Sequence, residues 1–174
     1  MSGALQWQAQ LDSNRATRDL TVSTQRSLVL IVPPQRQCLT ADQDNMSQIT
    51  LTNFGKMPCR DLRIDYSSGT FEAMPREMPA LVAHEGPTTL VPEVEYGIAV
   101  AIRPTESGLA DLERGRLHYC AFGQITYTDA LGVEGETGFC FMWQNQASLL
   151  PSKDGEATPL CQWVACDNDW NHVR

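Results

Sequence analysis

Apolar and polar positions alternate most regularly in the stretch RLHYCAFGQITYTDALGVEGETGFCFMW, residues 116–143. Tyr119, Ala121, Gly123, Ile125 and Tyr127 share one face, and Cys120, Phe122, Gln124, Thr126 and Thr128 share the other, the two-residue period of a pleated strand. Asp129-Ala130-Leu131-Gly132 supplies a turn, because Asp can bond back to its own backbone and Gly accepts positive φ. Thr137, Phe139, Phe141 and Trp143 then resume the alternation. Pairing Asp129 with Val133 sets Ile125 opposite Thr137, Gly123 opposite Phe139 and Ala121 opposite Phe141. Small residues thus face large rings.

The same reading extends along the chain. Residues 4–25 hold helix formers with a thin apolar stripe through Trp7 and Leu11, and predict a connector helix within 1–26 that contacts the rest little. Residues 27–34 are apolar on both faces and read as a strand buried on both sides, ended by Pro33-Pro34. Ile49 and Leu51 alternate with polar neighbours in 47–53. Leu62, Ile64 and Tyr66 do so in 60–66, which Ser67-Ser68-Gly69 is expected to close. Between 71 and 95, prolines at 75, 79, 87 and 92 forbid interior strands and leave one short strand at 88–91. Tyr96, Ile98, Val100 and Ile102 mark another strand. Residues 107–114 read as a helical turn capped by Ser107 and stopped at Gly115.

These elements predict an all-β protein: an immunoglobulin-like antiparallel β-sandwich of about seven strands over 27–148, with an N-terminal helix. Tyr127, Ile125, Phe139, Phe141, Ile98, Val100, Leu62, Ile64, Ile49 and Leu51 are the expected core. Beyond Ala147 the composition turns to loop. Trp163 and Trp170 in the tail, 149–174, each carry too much apolar area to remain in water, so the tail is expected to fold back onto the sandwich.

Charge narrows the partners. Lys and Arg number 13 against 21 Asp and Glu, a net −8 spread along the chain, and the cations gather only weakly at Arg15, Arg18 and Arg26. A phosphate backbone needs clustered cations, so nucleic acid is not an expected partner. No run of 18 apolar residues occurs, and the start lacks a signal-peptide pattern.

Candidate chemistry is sparse. His118 and Cys120 point to one face of one strand with Cys140 on the next, the raw material of an imidazole-activated thiol, yet no oxyanion-forming turn lies near. The plainer reading makes Cys120 and Cys140 reduced, buried hydrophobes. Cys161, Cys166 and His172 are candidate zinc ligands if Asp167 or Asp169 completes the set. A local Cys161–Cys166 disulfide and free thiols are the other readings of those cysteines. Asp61 with Asp65, and Glu93 with Glu95, lack the apolar setting that tunes a carboxyl group for acid–base work. Phosphate-loop, nucleophile-elbow, HExxH and EF-hand patterns are absent, and no cofactor is expected.

Asn53-Phe54-Gly55-x-x-Pro58, followed by Gly123-x-Ile125-x-Tyr127-x-Asp129-x-x-Gly132 and Thr137-x-Phe139-Cys140, resembles a set of uncharacterised bacterial proteins. These carry an immunoglobulin-like sandwich behind one or two N-terminal membrane helices. Leu5-Gln6-Trp7 and Thr24-Gln25-Arg26 are similar to their lead-in from the membrane. The resemblance implies a membrane-associated, non-enzymatic interaction or scaffolding domain with an unknown protein partner. It carries no catalytic residue and does not give the side of the membrane. The alternative is a small-ligand or metal-binding sandwich that uses the Cys-rich tail.

Overall fold

The computed structural model describes residues 26–147, 159–167 and 170–173. The predicted N-terminal helix lies outside them. Nine strands and one short helix are present among the described residues: β1 (Val29–Val32), β2 (Asn45–Asn53), β3 (Cys59–Phe71), β4 (Ala83–Leu90), β5 (Glu95–Ile102), α1 (Glu106–Glu113), β6 (His118–Thr128), β7 (Glu134–Ala147), β8 (Pro159–Ala165) and β9 (His172–Val173). They form two sheets. One is three-stranded, in the order β1-β2-β5; the other runs β4-β3-β6-β7-β8, with β9 also paired to β7. Every pairing between strands is antiparallel. The chain is therefore a mostly-β, sandwich-like protein.

The central hairpin has the register its alternation dictates. Ile125 pairs with Thr137, Gly123 with Phe139, and Ala121 with Phe141, while the Asp129 N–H donates to the Val133 carbonyl at 2.9 Å. A Cβ built on Gly123 would lie 2.7 Å from Phe139 Cζ, so the ring occupies the space that glycine leaves. All ten expected core residues are buried, and they meet between the sheets: Ile49, Leu51, Ile98 and Val100 from one, Leu62, Ile64, Ile125, Tyr127, Phe139 and Phe141 from the other. Truncating Phe139 to Ala is expected to cost about 3–5 kcal/mol in a denaturation experiment, because the cavity would sit between two sheets that cannot close over it.

Several expectations yield to tertiary context. β1 is an edge strand buried on one face only; Val29 is inside while Leu30 and Val32 face solvent. β3 does not stop at Ser67-Ser68-Gly69, because Phe122, Ala121 and Cys120 of β6 pair with those residues and carry the strand to Phe71. β4 is longer than 88–91 and includes Pro87, which is tolerated because β4 is an edge strand that needs only one row of ladder bonds. α1 starts one residue earlier than expected: Thr105, not Ser107, is the cap, its Oγ1 accepting from the Gly108 N–H at 3.1 Å. Gly115 follows the helix at φ +67°.

The residues assigned to a tail include an integral strand. β8 pairs with β7 from Phe141↔Ala165 to Ala147↔Pro159, so the sheet continues beyond the boundary at 148. Trp163 then lies in the inner core against Tyr119, ring centroids 5.4 Å apart. β9 takes over the same edge of β7 at Thr137 and Gly138, and the chain between β8 and β9 carries Trp170 onto the outer face of the large sheet, 5.7 Å from the Phe122 ring. A second apolar cluster forms there from Cys120, Phe122, Cys140, Cys166 and Trp170, with Phe71, Met74, Met78, Leu81 and Met142 packed on it. Consequently residues 119–123 of β6 are buried on both faces.

Candidate functional site

The cysteines settle most of the candidate chemistry. Cys38 is bonded to Cys161 and Cys140 to Cys166. A local Cys161–Cys166 bridge is not formed, because the two residues serve opposite faces of the sheet. Cys161 points inward to the segment after β1, whereas Cys166 lies beyond the end of β8, where its N–H donates to the Cys140 carbonyl at 3.0 Å. Cys140, expected to be a reduced thiol, is a disulfide partner.

The zinc candidates are dispersed for the same reason. The sulfurs of Cys161 and Cys166 are committed to separate bridges, and His172 Nε2 lies 2.7 Å from Glu136 Oε1 on the neighbouring strand. Asp167 is exposed; Asp169 lies outside the described residues. Among the described residues no group of three or more His, Cys, Asp or Glu side chains could hold a metal ion.

His118 and Cys120 do share a face, but Cys120 is wholly buried, with its Sγ 3.4 Å from Met74 Sδ, and burial pushes its thiol up to about 12. A thiol held protonated in this way is a poor nucleophile at neutral pH. Cys59 is the other free cysteine, and its thiol is also raised by burial. A thiol reagent should find no reactive group on the native protein and two on the unfolded, unreduced chain; a signal from native protein would place one of these cysteines at the surface.

The carboxylate pairs separate too. Asp65 meets His84 Nδ1 at 2.6 Å on the surface, while Asp61, at φ +51° in the irregular stretch of β3, lines a polar depression with Arg63, Thr126, Glu134 and Glu136. Glu93 occupies the turn after β4, and Glu95 begins β5. Glu85, next to His84, ties the two sheets together, accepting from Tyr66 Oη at 3.0 Å and Tyr96 Oη at 2.6 Å.

One end of the sandwich is organised differently. β1, β3, β5 and β7 start there, and β2, β4 and β6 finish there, so residues 26–28, 54–58, 91–94 and 129–133 come together. Two buried polar side chains hold these segments. Asn53 Oδ1 accepts from the Leu28 N–H at 3.2 Å and the Gly55 N–H at 2.9 Å. Its Nδ2 donates to the Met57 carbonyl at 2.8 Å and the Leu90 carbonyl at 3.1 Å. Asn53 thereby joins three segments, and the Glu93 N–H donates to its carbonyl at 3.1 Å. Asp129 Oδ1 accepts from the Leu131 and Val133 N–H groups, both at 2.9 Å, and its Oδ2 lies 3.4 Å from Arg26 Nε. A Cβ on Gly55 would lie 2.5 Å from Ser27 Cα, so glycine is what lets the turn lie against the chain leading into β1.

On this fixed frame the turn side chains point outward. Phe54 is 61% exposed and Leu131 50%, and Leu28, Val91, Val94 and Val133 are exposed beside them. Six of the eleven exposed large apolar residues among the described ones therefore sit at one end. The turn residues Asn53, Phe54, Gly55, Asp129 and Gly132 were legible as turn formers; that their turns form one surface was not, because convergence depends on strand order. No family model matches the chain, and no curated protein shows significant similarity to it.

Proposed function

We propose that this chain is a non-enzymatic, immunoglobulin-like β-sandwich that mediates interaction or scaffolding as part of a membrane-anchored bacterial protein. The observation that carries the reading is the loop end: two buried polar side chains hold three turns and the segment leading into β1, and these present apolar tips to solvent. A frame of this kind supplies a preorganised binding surface, because ordering the loops costs nothing further when a partner arrives. The sandwich-like architecture and the similarity of the two turn motifs to membrane-anchored bacterial domains support the same reading.

The two disulfides add a compartment. Bridges persist where thiols are not continuously reduced, and one of these closes a separation of 123 residues, so the sandwich belongs on the oxidising side of the membrane. Export of the chain should produce both bridges, visible as four alkylation-resistant cysteines before reduction. Folded protein recovered from the host without either bridge would overturn this assignment.

The interaction itself is tested with a photoreactive side chain at Phe54, and at Gln43 near the opposite end as control, in the full protein in its host. A defined adduct from Phe54 alone is expected. Equal adducts from both positions, or none from either, would contradict a binding role for this end.

A further inference from the structure

We infer that Cys120, Met74 and Met142, with Met78 beside them, form a binding site for a monovalent soft cation, Cu(I), on the outer face of the large sheet. The inference is independent of the interaction reading: the cluster lies near the start of β6, whereas β6 finishes at the loop end. Strand pairing and packing bring the sulfur donors together. Met142 is the cross-strand partner of Cys120, so the two side chains leave one face of the sheet about 5 Å apart at Cβ. Met74 arrives from the irregular segment between β3 and β4, and its Sδ lies 3.4 Å from Cys120 Sγ. Met78 follows in the same segment and packs on the same cluster. Three of the chain's six methionines thus gather at one of its two free thiols.

Methionine also fills gaps in apolar cores, but two features set this cluster apart from filling. Cys59, the other buried free thiol, donates to the Leu90 carbonyl at 3.4 Å. Cys120 meets a thioether instead, a weak acceptor and a good soft-metal ligand. The thiol is wholly buried while Met74, Met78 and Met142 are half-buried, so thioethers lead from solvent to the thiol. Cys140 and Cys166, in the same cluster, are bonded to each other and do not compete for the metal.

Charge selects the ion. The thiolate is the ligating form of cysteine. As Cu(I) binds, the S–H bond breaks, the S–Cu bond forms and the proton passes to solvent; no electron is transferred. One monocation replaces one proton, so the site stays neutral in surroundings where net charge is costly. A divalent ion on a single thiolate would leave a buried positive charge, and thiolate with thioether is the ligand set that selects Cu(I). Metal–sulfur bonds of about 2.3 Å, the value for zinc thiolates, place tetrahedral sulfurs about 3.8 Å apart. Cys120 and Met74 therefore separate by about 0.4 Å on binding, a movement taken up by the irregular segment that carries Met74.

The test titrates the full, disulfide-intact chain anaerobically with Cu(I) held by the chromogenic chelator bicinchoninate. A single equivalent should pass to the protein with a near-ultraviolet thiolate-to-copper band, and Zn(II) should not displace it. Met74→Leu combined with Met142→Leu conserves volume and apolarity, so the metal-free melting temperature should hardly change. Affinity for Cu(I) should fall by at least about a hundredfold, more than the loss of an outer-shell partner. Cys120→Ala should abolish the band, while Cys59→Ala and Met46→Leu, outside the cluster, should bind as the unsubstituted protein does. Failure to take Cu(I) from the chelator, undiminished affinity in the double methionine variant, or loss of the band in Cys59→Ala would overturn the site. Zn(II) binding on equal terms would overturn the assignment to a monovalent ion. If Cys120→Ala does not fold, the double methionine variant decides alone.

Discussion

Replacing Cys38 and Cys161 together by Ala is expected to lower the unfolding free energy by about 5 kcal/mol. The bridge spans a sequence separation of 123, and the chain-entropy cost of closing a loop that long in the unfolded state is about 5 kcal/mol at 25 °C. The native structure loses something as well. Cys38 anchors the connection between β1 and β2, where Leu39 is buried and the Gln37 carbonyl accepts from Trp143 Nε1 at 2.9 Å. The bridge also holds β8, the edge strand, against that connection. By the same reasoning the Cys140–Cys166 bridge, with a separation of 26, should contribute about 3.5 kcal/mol. Guanidinium titrations of the two double variants under non-reducing conditions give the comparison. An equal or larger loss from the shorter loop would show that holding Cys166 and Trp170 against Phe122, and not chain closure, dominates.

Asn53→Ala is the second large effect, expected to cost about 4 kcal/mol. Asn53 is fully buried, and its side chain makes four hydrogen bonds, each contributing about 1 kcal/mol. Its removal leaves two N–H groups and two carbonyls without that partner at a crowded end of the sandwich. Asn53→Asp separates donors from acceptors. The two acceptor bonds can persist, while the bonds to the Met57 and Leu90 carbonyls are replaced by repulsion against a buried carboxylate, so the loss should at least equal that of Ala. A change below about 1 kcal/mol for either variant, measured by denaturant midpoint at constant m, would mean that the turns hold themselves. If the loss is confirmed, Phe54, Val91 and their neighbours owe their fixed positions to a residue that never reaches the surface.

Much of the sandwich was legible from alternation alone. In β6 and β7 one face must be buried and the side-chain period is two, so a slip of one residue would expose Ile125, Phe139 and Phe141 together; the register had only one acceptable value. The turn at Asp129 was readable because the carboxylate and Gly132 are local devices that act within four residues. Thr105 was missed as the cap of α1 because Ser107 is an equally good capping residue by type. The choice depended on where the chain leaves β5.

The sequence by itself determined β2, β5, β6 and β7, the ten inward residues named on these strands and on β3, and the polar turn residues, since each depends on neighbours one to four positions away. Only the tertiary structure decided the partners of the cysteines. Spacing brought Cys161 and Cys166 near each other along the chain, but antiparallel pairing with β7 set Cys161 against Cys38 and carried Cys166 to Cys140. It likewise decided that residues 159–165 are a strand of the sheet, because β8 has little apolar alternation of its own and is defined by the edge of β7 that it covers. The convergence of Phe54, Val91 and Leu131 on one end belongs to the same class. Three turns far apart in the chain share a surface because the strands that carry them run in alternating directions, and no pattern within any one turn records that.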